Sequence, residues 1–321
     1  MNRTLFILGG TGFIGHETLV KALKTGWQVK ALVRSEDGAH KMRQIGAQPV
    51  MGDIYQPQTW IAGTLGTTAL IDLTQPKLPK RISRSAMKSI SAQRQAMTRS
   101  VLDALKSLPS QEQPVFFSIS GADDLQPDAN GVISHRSRVS TELHGFAHIG
   151  VPVRKLVEAS ALDATYVYFG NLVYGPGKIF ADVYVNGLKN GSTRVIGKGT
   201  NRLPLVHVTD AARAIVHLAG LPRKDIVGHI FIAMDGAGTT QRELINETAM
   251  YLGVKKPGTA PAWLAALLFG PISVETITFD AQADNSSLRE TGFDFLYPSH
   301  REGVPATLAE LGYALANVKI A

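Results

Sequence analysis

The chain has 321 residues, 44% of them hydrophobic, with 31 glycines, no cysteine and a formal net charge of +7. This is enough apolar material for one large or two modest globular units, and the lack of cysteine excludes disulfides, thiolate metal sites and cysteine nucleophiles. The positive balance is local, because Lys77, Lys80, Arg81, Arg84, Lys88, Arg94 and Arg99 share the acid-free, aromatic-free stretch 74–100 while the remaining charges cancel, which argues against a nucleic-acid-binding protein.

From the amino terminus, residues 5–8 read as a buried strand running into "GGTGFIG", and "HETLVKALKTG" as a helix closed by Gly26. "QVKALVR" is a second strand and "AHKMRQIGA" a second helix; "AQPVMGD" and "TALIDLT" are the third and fourth strands, "QAMTRSVLDALKS" a third helix and "QPVFFSISG" a fifth strand. Strands and helices alternating in this way imply right-handed crossovers and a doubly wound parallel sheet, with a ligand at the carboxyl ends of the strands. "HIGVPVRKLVEAS" is helical text that Pro152 interrupts unless it sits in the first turn. "DATYVYFGNLVYGPG" is a sixth strand entering a Gly/Pro loop, and "LVHVTDAARAIVHLAG" a strand end followed by a helix capped by Thr209 or Asp210. "GHIFIAM" is a further strand, and "TTQRELINETAMYLG" begins a mostly helical remainder.

The expected organisation is a nucleotide-binding part over 1–170, its sheet completed by segments from 203–235, and an interleaved substrate-binding part over 171–321. The apolar stretch 263–269 reads mainly as core helix, with some of it walling a cleft. The leading apolar run is too short for a signal peptide, and the longest, 261–272, falls short of the roughly 20 residues a bilayer span needs. The expectation is therefore a cytoplasmic protein with no membrane partner.

A strand, then Gly9, Gly12 and Gly15, then a helix is the context of a dinucleotide site. Gly9 permits the tight turn, Gly12 the approach of a pyrophosphate and Gly15 close packing of helix on strand, while the free amides of Phe13 and Ile14 face the anion. The residue about 20 positions further on selects the dinucleotide, since a carboxylate takes the ribose hydroxyls of NAD and an arginine accommodates the 2'-phosphate of NADP. "ALVRS" puts Arg34 and Ser35 there with no acid before Glu36, which points to NADP(H). A solvated strand-end charge is the other reading of Arg34.

Together with "GGTGFIG", the segments "GDIYQPQTW", "GNLVYGPG", "RLPLVHVTDAARAI" and "DNSSLRETGFDFLYPSHREGV" resemble, over nearly the whole chain, the extended short-chain dehydrogenase/reductase family of NAD(P)-dependent epimerases, dehydratases and dihydroflavonol-type reductases. The resemblance implies an α/β Rossmann fold with a smaller, mostly helical carboxyl-terminal substrate part, and homodimers paired through helices on one side of the sheet. It implies cofactor contacts at Gly9, Thr11, Gly12, Phe13, Ile14, Gly15, Arg34, Ser35, Asp53, Ile54, Leu73, Thr74, Gln75, Ser118 and Asn171, with Asp53 at the adenine. Tyr174 and His207 match family positions with packing and structural roles.

The family's Tyr-x-x-x-Lys pair has no counterpart. With Glu158 set on the glutamate that follows the family's lysine, Arg154 takes the lysine position and Gly150 the tyrosine position; a shift of one residue gives Lys155 and Val151 instead. Tyr166 and Tyr168 belong to the sixth strand. The remaining catalytic candidates are Ser120 (or Ser118) at the end of the fifth strand, with a serine merely bonded to backbone as the alternative; His144 and His148 near the vacant position, where a merely solvated or hydrogen-bonded histidine is the alternative; and Lys155 in the lysine role. Arg94 stands where the family often has asparagine. The expected function is an atypical NADP(H)-dependent oxidoreductase acting on a small carbonyl or hydroxyl compound, an anionic one if the basic stretch lines its entrance. The alternative is a non-catalytic NADP-binding sensor that uses that stretch as a partner surface.

Overall fold

The computed structural model describes residues 3–177 and 179–315, so the outer bounds of the two expected parts lie outside the described residues. Its main element is a seven-stranded sheet made of β1 (Thr4–Leu8), β2 (Gln28–Val33), β3 (Gln48–Met51), β4 (Ala69–Asp72), β5 (Val115–Gly121), β6 (Ala164–Phe169) and β7 (Ile230–Ala233). All strands are parallel, in the order β3-β2-β1-β4-β5-β6-β7. The helices covering it are α1 (Phe13–Lys24), α2 (Glu36–Gln44), α3 (Arg84–Lys106), α4 (Ala147–Ser160) and α5 (Val208–Ala219).

The unbroken apolar text of β1 follows from this architecture, because both faces of a parallel sheet are covered. Leu5 and Ile7 enter the core shared with Leu19 of α1, Met42 of α2 and Ile215 of α5. Phe6 and Leu8 enter the opposite core, with Leu102 of α3 and Val153 of α4. The strand order reverses between β1 and β4, which opens a crevice at their carboxyl ends.

The carboxyl-terminal part adds α6 (Gln241–Tyr251), α7 (Ala262–Phe269), α8 (Pro271–Ile277) and α9 (His300–Glu310). Its own core joins Tyr174, Phe180, Leu205, Leu244, Val304 and Leu308. Capping boxes open α6 (Thr240 with Glu243) and α9 (Ser299 with Glu302), each satisfying two otherwise unpaired helix-end groups. Of the segments expected to complete the sheet, 230–233 does so, whereas Leu205–His207 pairs with Leu172–Tyr174 in a separate two-stranded ladder.

Several local expectations are corrected by packing. The third helix starts at Arg84, capped by Ser83, well before Gln95. The cap of α5 is His207, whose Nδ1 accepts the N–H of Thr209 at 3.2 Å; Asp210 lies inside the helix and accepts the N–H groups of Leu296 and Tyr297, each at 2.8 Å, tying down the tail. Pro152 sits in the interior of α4, not its first turn. Its missing N–H would leave the carbonyl of His148 without a helical donor, and the hydroxyl of Ser91 on α3 donates to that carbonyl instead at 2.6 Å. The stretch read as core helix is largely outside the core, since Ala265 is the only buried residue of α7. Among the described residues no helix is long and apolar enough to cross a membrane.

Candidate functional site

The turn between β1 and α1 is dictated by close backbone approach. Gly9 has φ +79°, and a methyl group on it would lie 2.7 Å from the carbonyl oxygen of Leu73; one on Gly15 would collide with the carbonyl of Gly9. The N–H of Gly12 donates to that same carbonyl at 2.9 Å. Gly12 itself has nothing but the Gly9 carbonyl, at 3.1 Å, near the place a side chain would occupy. Thr11 is exposed, Phe13 and Ile14 are half-buried, and the first turn of α1 holds no acid. The ring of Phe13 packs under the loop of Gly175 and Gly177. An open backbone cradle facing an acid-free helix start fits a pyrophosphate.

At the end of β2, Arg34 is exposed and has no ion-pair partner among the described residues, whereas Asp37 is paired with Lys41 at 2.6 Å and Glu36 with Arg43 at 3.7 Å. Ser35 caps α2 by accepting the N–H of Gly38 at 3.2 Å, which leaves its hydroxyl proton to donate. Beyond β3, the carboxylate of Asp53 accepts the N–H of Tyr55 at 2.9 Å and its carbonyl accepts Trp60 Nε1 at 3.0 Å, while Ile54 is buried. Gln75 is exposed beyond β4.

Beneath the crevice lies an ion pair that the sequence analysis missed. Asp72, the last residue of β4, accepts Arg94 at 2.9 Å with one carboxylate oxygen, and the N–H and hydroxyl of Thr74 at 3.1 and 2.6 Å with the other. Arg94 is therefore buried, and it holds the acid that shapes the Leu73 and Thr74 backbone against Gly9. The available signal was spacing: Met87, Ile90, Arg94, Thr98 and Val101 form one buried stripe along α3. Ser118 is buried directly across the β4–β5 ladder from Asp72.

At the other end of the crevice side chains meet at the end of β5. Ser120 donates from its hydroxyl to Asp124 Oδ2 at 2.6 Å. A methyl group on Gly150 would collide with both carboxylate oxygens of Asp124 and with the Ser120 hydroxyl. The space into which a side chain at residue 150 would grow is therefore filled by Asp124, which the tight turn Ala122–Asp124 swings in from the end of β5. Asp124 is 1% exposed and its Oδ1 has no hydrogen-bond partner among the described residues. Burial, reinforced by the charge of Asp123, pushes its carboxyl well above the usual carboxylate range. Burial also raises Asp123, to about 6, against the pull of the Phe146 N–H that it accepts at 2.7 Å.

Asn171 holds this turn in place, accepting the N–H of Asp123 at 3.2 Å and donating to the carbonyl of Thr276 on α8 at 3.1 Å. Arg154, one helical turn after Gly150, donates to the Tyr168 hydroxyl at 3.1 Å and to Glu158 at 2.6 Å, with its guanidinium 3.3 Å from the centre of the Tyr166 ring. Burial raises the phenols of Tyr166 and Tyr168 above their ordinary value, so neither gives up a proton near neutral pH.

His148 and Lys155 are not brought to Ser120. His148 precedes Gly150 by two positions and so points to the opposite side of α4; its neighbours are Glu275, Arg84 and His144, and burial lowers its imidazole. Lys155 is exposed, and the lysine's place one turn after residue 150 belongs to Arg154. Asp124 gave no signal in the sequence, because its contact is with a glycine in a distant helix.

A family model described as NAD dependent epimerase/dehydratase family matches residues 5–233. An uncharacterized protein of Schizosaccharomyces pombe is 28% identical over 250 residues, which cover 75% of this chain and 77% of that protein. Among solved structures, the human epimerase family protein SDR39U1 with NADPH superposes with a TM-score of 0.78 at 18% identity, over 96% of this chain and all of that one. DesIV, a dTDP-glucose 4,6-dehydratase from Streptomyces venezuelae with NAD bound, superposes with a TM-score of 0.72 at 19% identity, over 95% and 96% of the two chains. At such identities the likeness of the structures is one of fold.

Proposed function

Because the chain belongs to the NAD dependent epimerase/dehydratase family, we propose that it is an NADP(H)-dependent oxidoreductase in which Ser120 and Asp124 move the proton that tyrosine moves in the family it resembles. Members of this family bind NAD(P), and the bound nicotinamide supplies or accepts the hydride at a carbonyl or carbinol carbon. The chain's part is to hold the cofactor and to manage the proton.

The glycine cradle and the start of α1 take the pyrophosphate. Arg34, with no ion-pair partner among the described residues, and the Ser35 hydroxyl proton suit a 2'-phosphate. In the direction of reduction a protonated Asp124 turns the 2.6 Å contact round and donates to Ser120 Oγ, so that Ser120 gives its own hydroxyl proton to the carbonyl oxygen and takes the proton of Asp124. Asp124, 1% exposed, is left as a carboxylate that regains its proton through the half-exposed Ser120 once the product has left. In oxidation the same relay runs backwards, and the half-exposed Ser120 is the group that meets the substrate. A general acid of this kind needs a raised pKa and a short path to the reacting oxygen. Burial provides the first and the 2.6 Å hydrogen bond the second.

The observation that carries this reading is the overlap between the space of a side chain at residue 150 and the Asp124 carboxylate bonded to Ser120. The test is to titrate the purified chain with NADPH and NADH and then follow the cofactor absorbance as a panel of carbonyl compounds is added. Tighter binding of NADPH and its oxidation by at least one compound are expected. Binding without oxidation across the panel would favour a cofactor-holding sensor, and no binding of either dinucleotide would overturn the cradle itself.

A further inference from the structure

We infer that α7 and the basic stretch beside it form a docking face for an anionic membrane surface. Trp263, Leu267, Leu268 and Phe269 are 67%, 59%, 62% and 52% exposed. Four large apolar side chains laid open on one short helix exceed the scattered exposure of an ordinary monomer surface.

The helix is held out by the rest of the fold. The N–H of Ile82 donates to the carbonyl of Phe269 at 3.0 Å, and Arg81 Nε to that of Leu267 at 2.9 Å. Gly270, at φ +90°, turns a corner so close to the Ile82 backbone that a side chain there would collide with it. Just past the corner Ile272 is fully buried with Ile82, Met87, Ile90 and Ile149. The apolar helix and the basic stretch are thus one rigid feature.

Charge selects the occupant. Residues 74–100 and 252–274 contain no Asp or Glu. Within the basic stretch Arg94 is buried on Asp72 and Arg84 is paired with Glu275 at 2.7 Å, while Lys77, Lys80, Arg81 and Lys88 are exposed with no acid partner among the described residues. A second copy of the chain docking face to face would set these cations against the same cations. An anionic lipid surface instead offers headgroups to the cations and an acyl boundary to Trp263, Leu267, Leu268 and Phe269. Tryptophan favours that boundary, and eight residues of helix are too few to cross a bilayer, so the association is peripheral. On this inference the basic stretch serves the docking face, where the sequence analysis expected no membrane partner and set the stretch at the substrate entrance.

The experiment floats the full chain with vesicles of phosphatidylcholine alone and of phosphatidylcholine with phosphatidylglycerol, reading tryptophan emission in parallel. Trp27 and Trp60 are buried, so a blue shift reports Trp263. Flotation with the anionic vesicles, a blue shift and release by high salt are expected. Leu267→Ser with Leu268→Ser should lower partitioning more than tenfold, and Lys77→Gln, Lys80→Gln and Lys88→Gln together roughly a hundredfold, with circular dichroism showing that the variants remain folded. Should a variant misfold, quenching of the unaltered chain's emission by brominated lipid gives the same answer. The inference is overturned if the folded chain floats with neither vesicle, or if its binding ignores both sets of substitutions. It is equally overturned if the face proves to hold a second copy, with concentration-dependent self-association lost in the serine variant and no vesicle binding.

Discussion

The two ends of the crevice are built from different materials. Where β1 meets α1 the site is backbone, with carbonyls and amides brought so close at Gly9 and Gly15 that a methyl group does not fit. Where β5 ends the site is side chain, with Ser120 and Asp124 meeting against Gly150 and Arg154 bonded to Tyr168 one helical turn on. A backbone site tolerates few solutions, because sterics at each position forbid all but glycine. A side-chain site is open to more solutions, because a carboxyl group from a neighbouring turn can fill the space beside a glycine.

The largest effect should come from the side-chain end. Asp124→Asn should lower turnover by about 10²–10⁴-fold while leaving NADPH affinity nearly unchanged, as steady-state rates and a binding titration would tell. In the parent chain, reduction should fall as pH rises through the raised pKa of Asp124, because the donor proton is then lost. The asparagine variant should lack that limb, and an equal rate in the two chains would remove the relay.

Next comes the ion pair beneath the backbone end. Arg94→Met leaves Asp72 as an uncompensated buried carboxylate, for a loss of about 3–5 kcal/mol, measurable by denaturant unfolding. A loss no larger than that of a surface substitution would show that the cradle does not depend on Asp72.

Gly150→Tyr is the direct test of the difference between the two ends. Alone it should destabilise the chain by about 1–3 kcal/mol through overpacking against Asp124 and Ser120. Combined with Asp124→Gly, which empties that space, it should regain part of the loss in a thermal melt. If the tyrosine is accommodated without cost, the overlap is not what bars it.

The smallest effect lies at the edge of the cradle. Arg34→Asp should weaken NADPH binding about tenfold and narrow the preference over NADH, in keeping with one exposed charge-assisted contact. An unchanged ratio in competitive titrations would assign the 2'-phosphate to other groups.

Much of this was legible in the text of the chain. Strand and helix alternation, the glycine spacing and the run of buried strands follow from short-range periodicity and local sterics, which a linear sequence carries in full. The ion pair was legible in part, since Arg94 occupies an apolar helix stripe, but its partner on β4 was not identifiable from spacing. The exposure of α7 was not legible at all: "AWLAALLF" suits a core and a surface equally, and only the absence, among the described residues, of an element packed over it decides which.

What the sequence by itself determined is the Rossmann sheet, the glycine cradle and a glycine at residue 150. What only the tertiary structure decided is what lies against that glycine, where Asp124 fills the space beside Gly150, Arg154 turns to Tyr168, and His148 and Lys155 turn away. The reason is physical: a glycine in a tight turn is constrained by atoms a few bonds away, whereas the meaning of a buried carboxylate is set by whatever the fold brings against it through space.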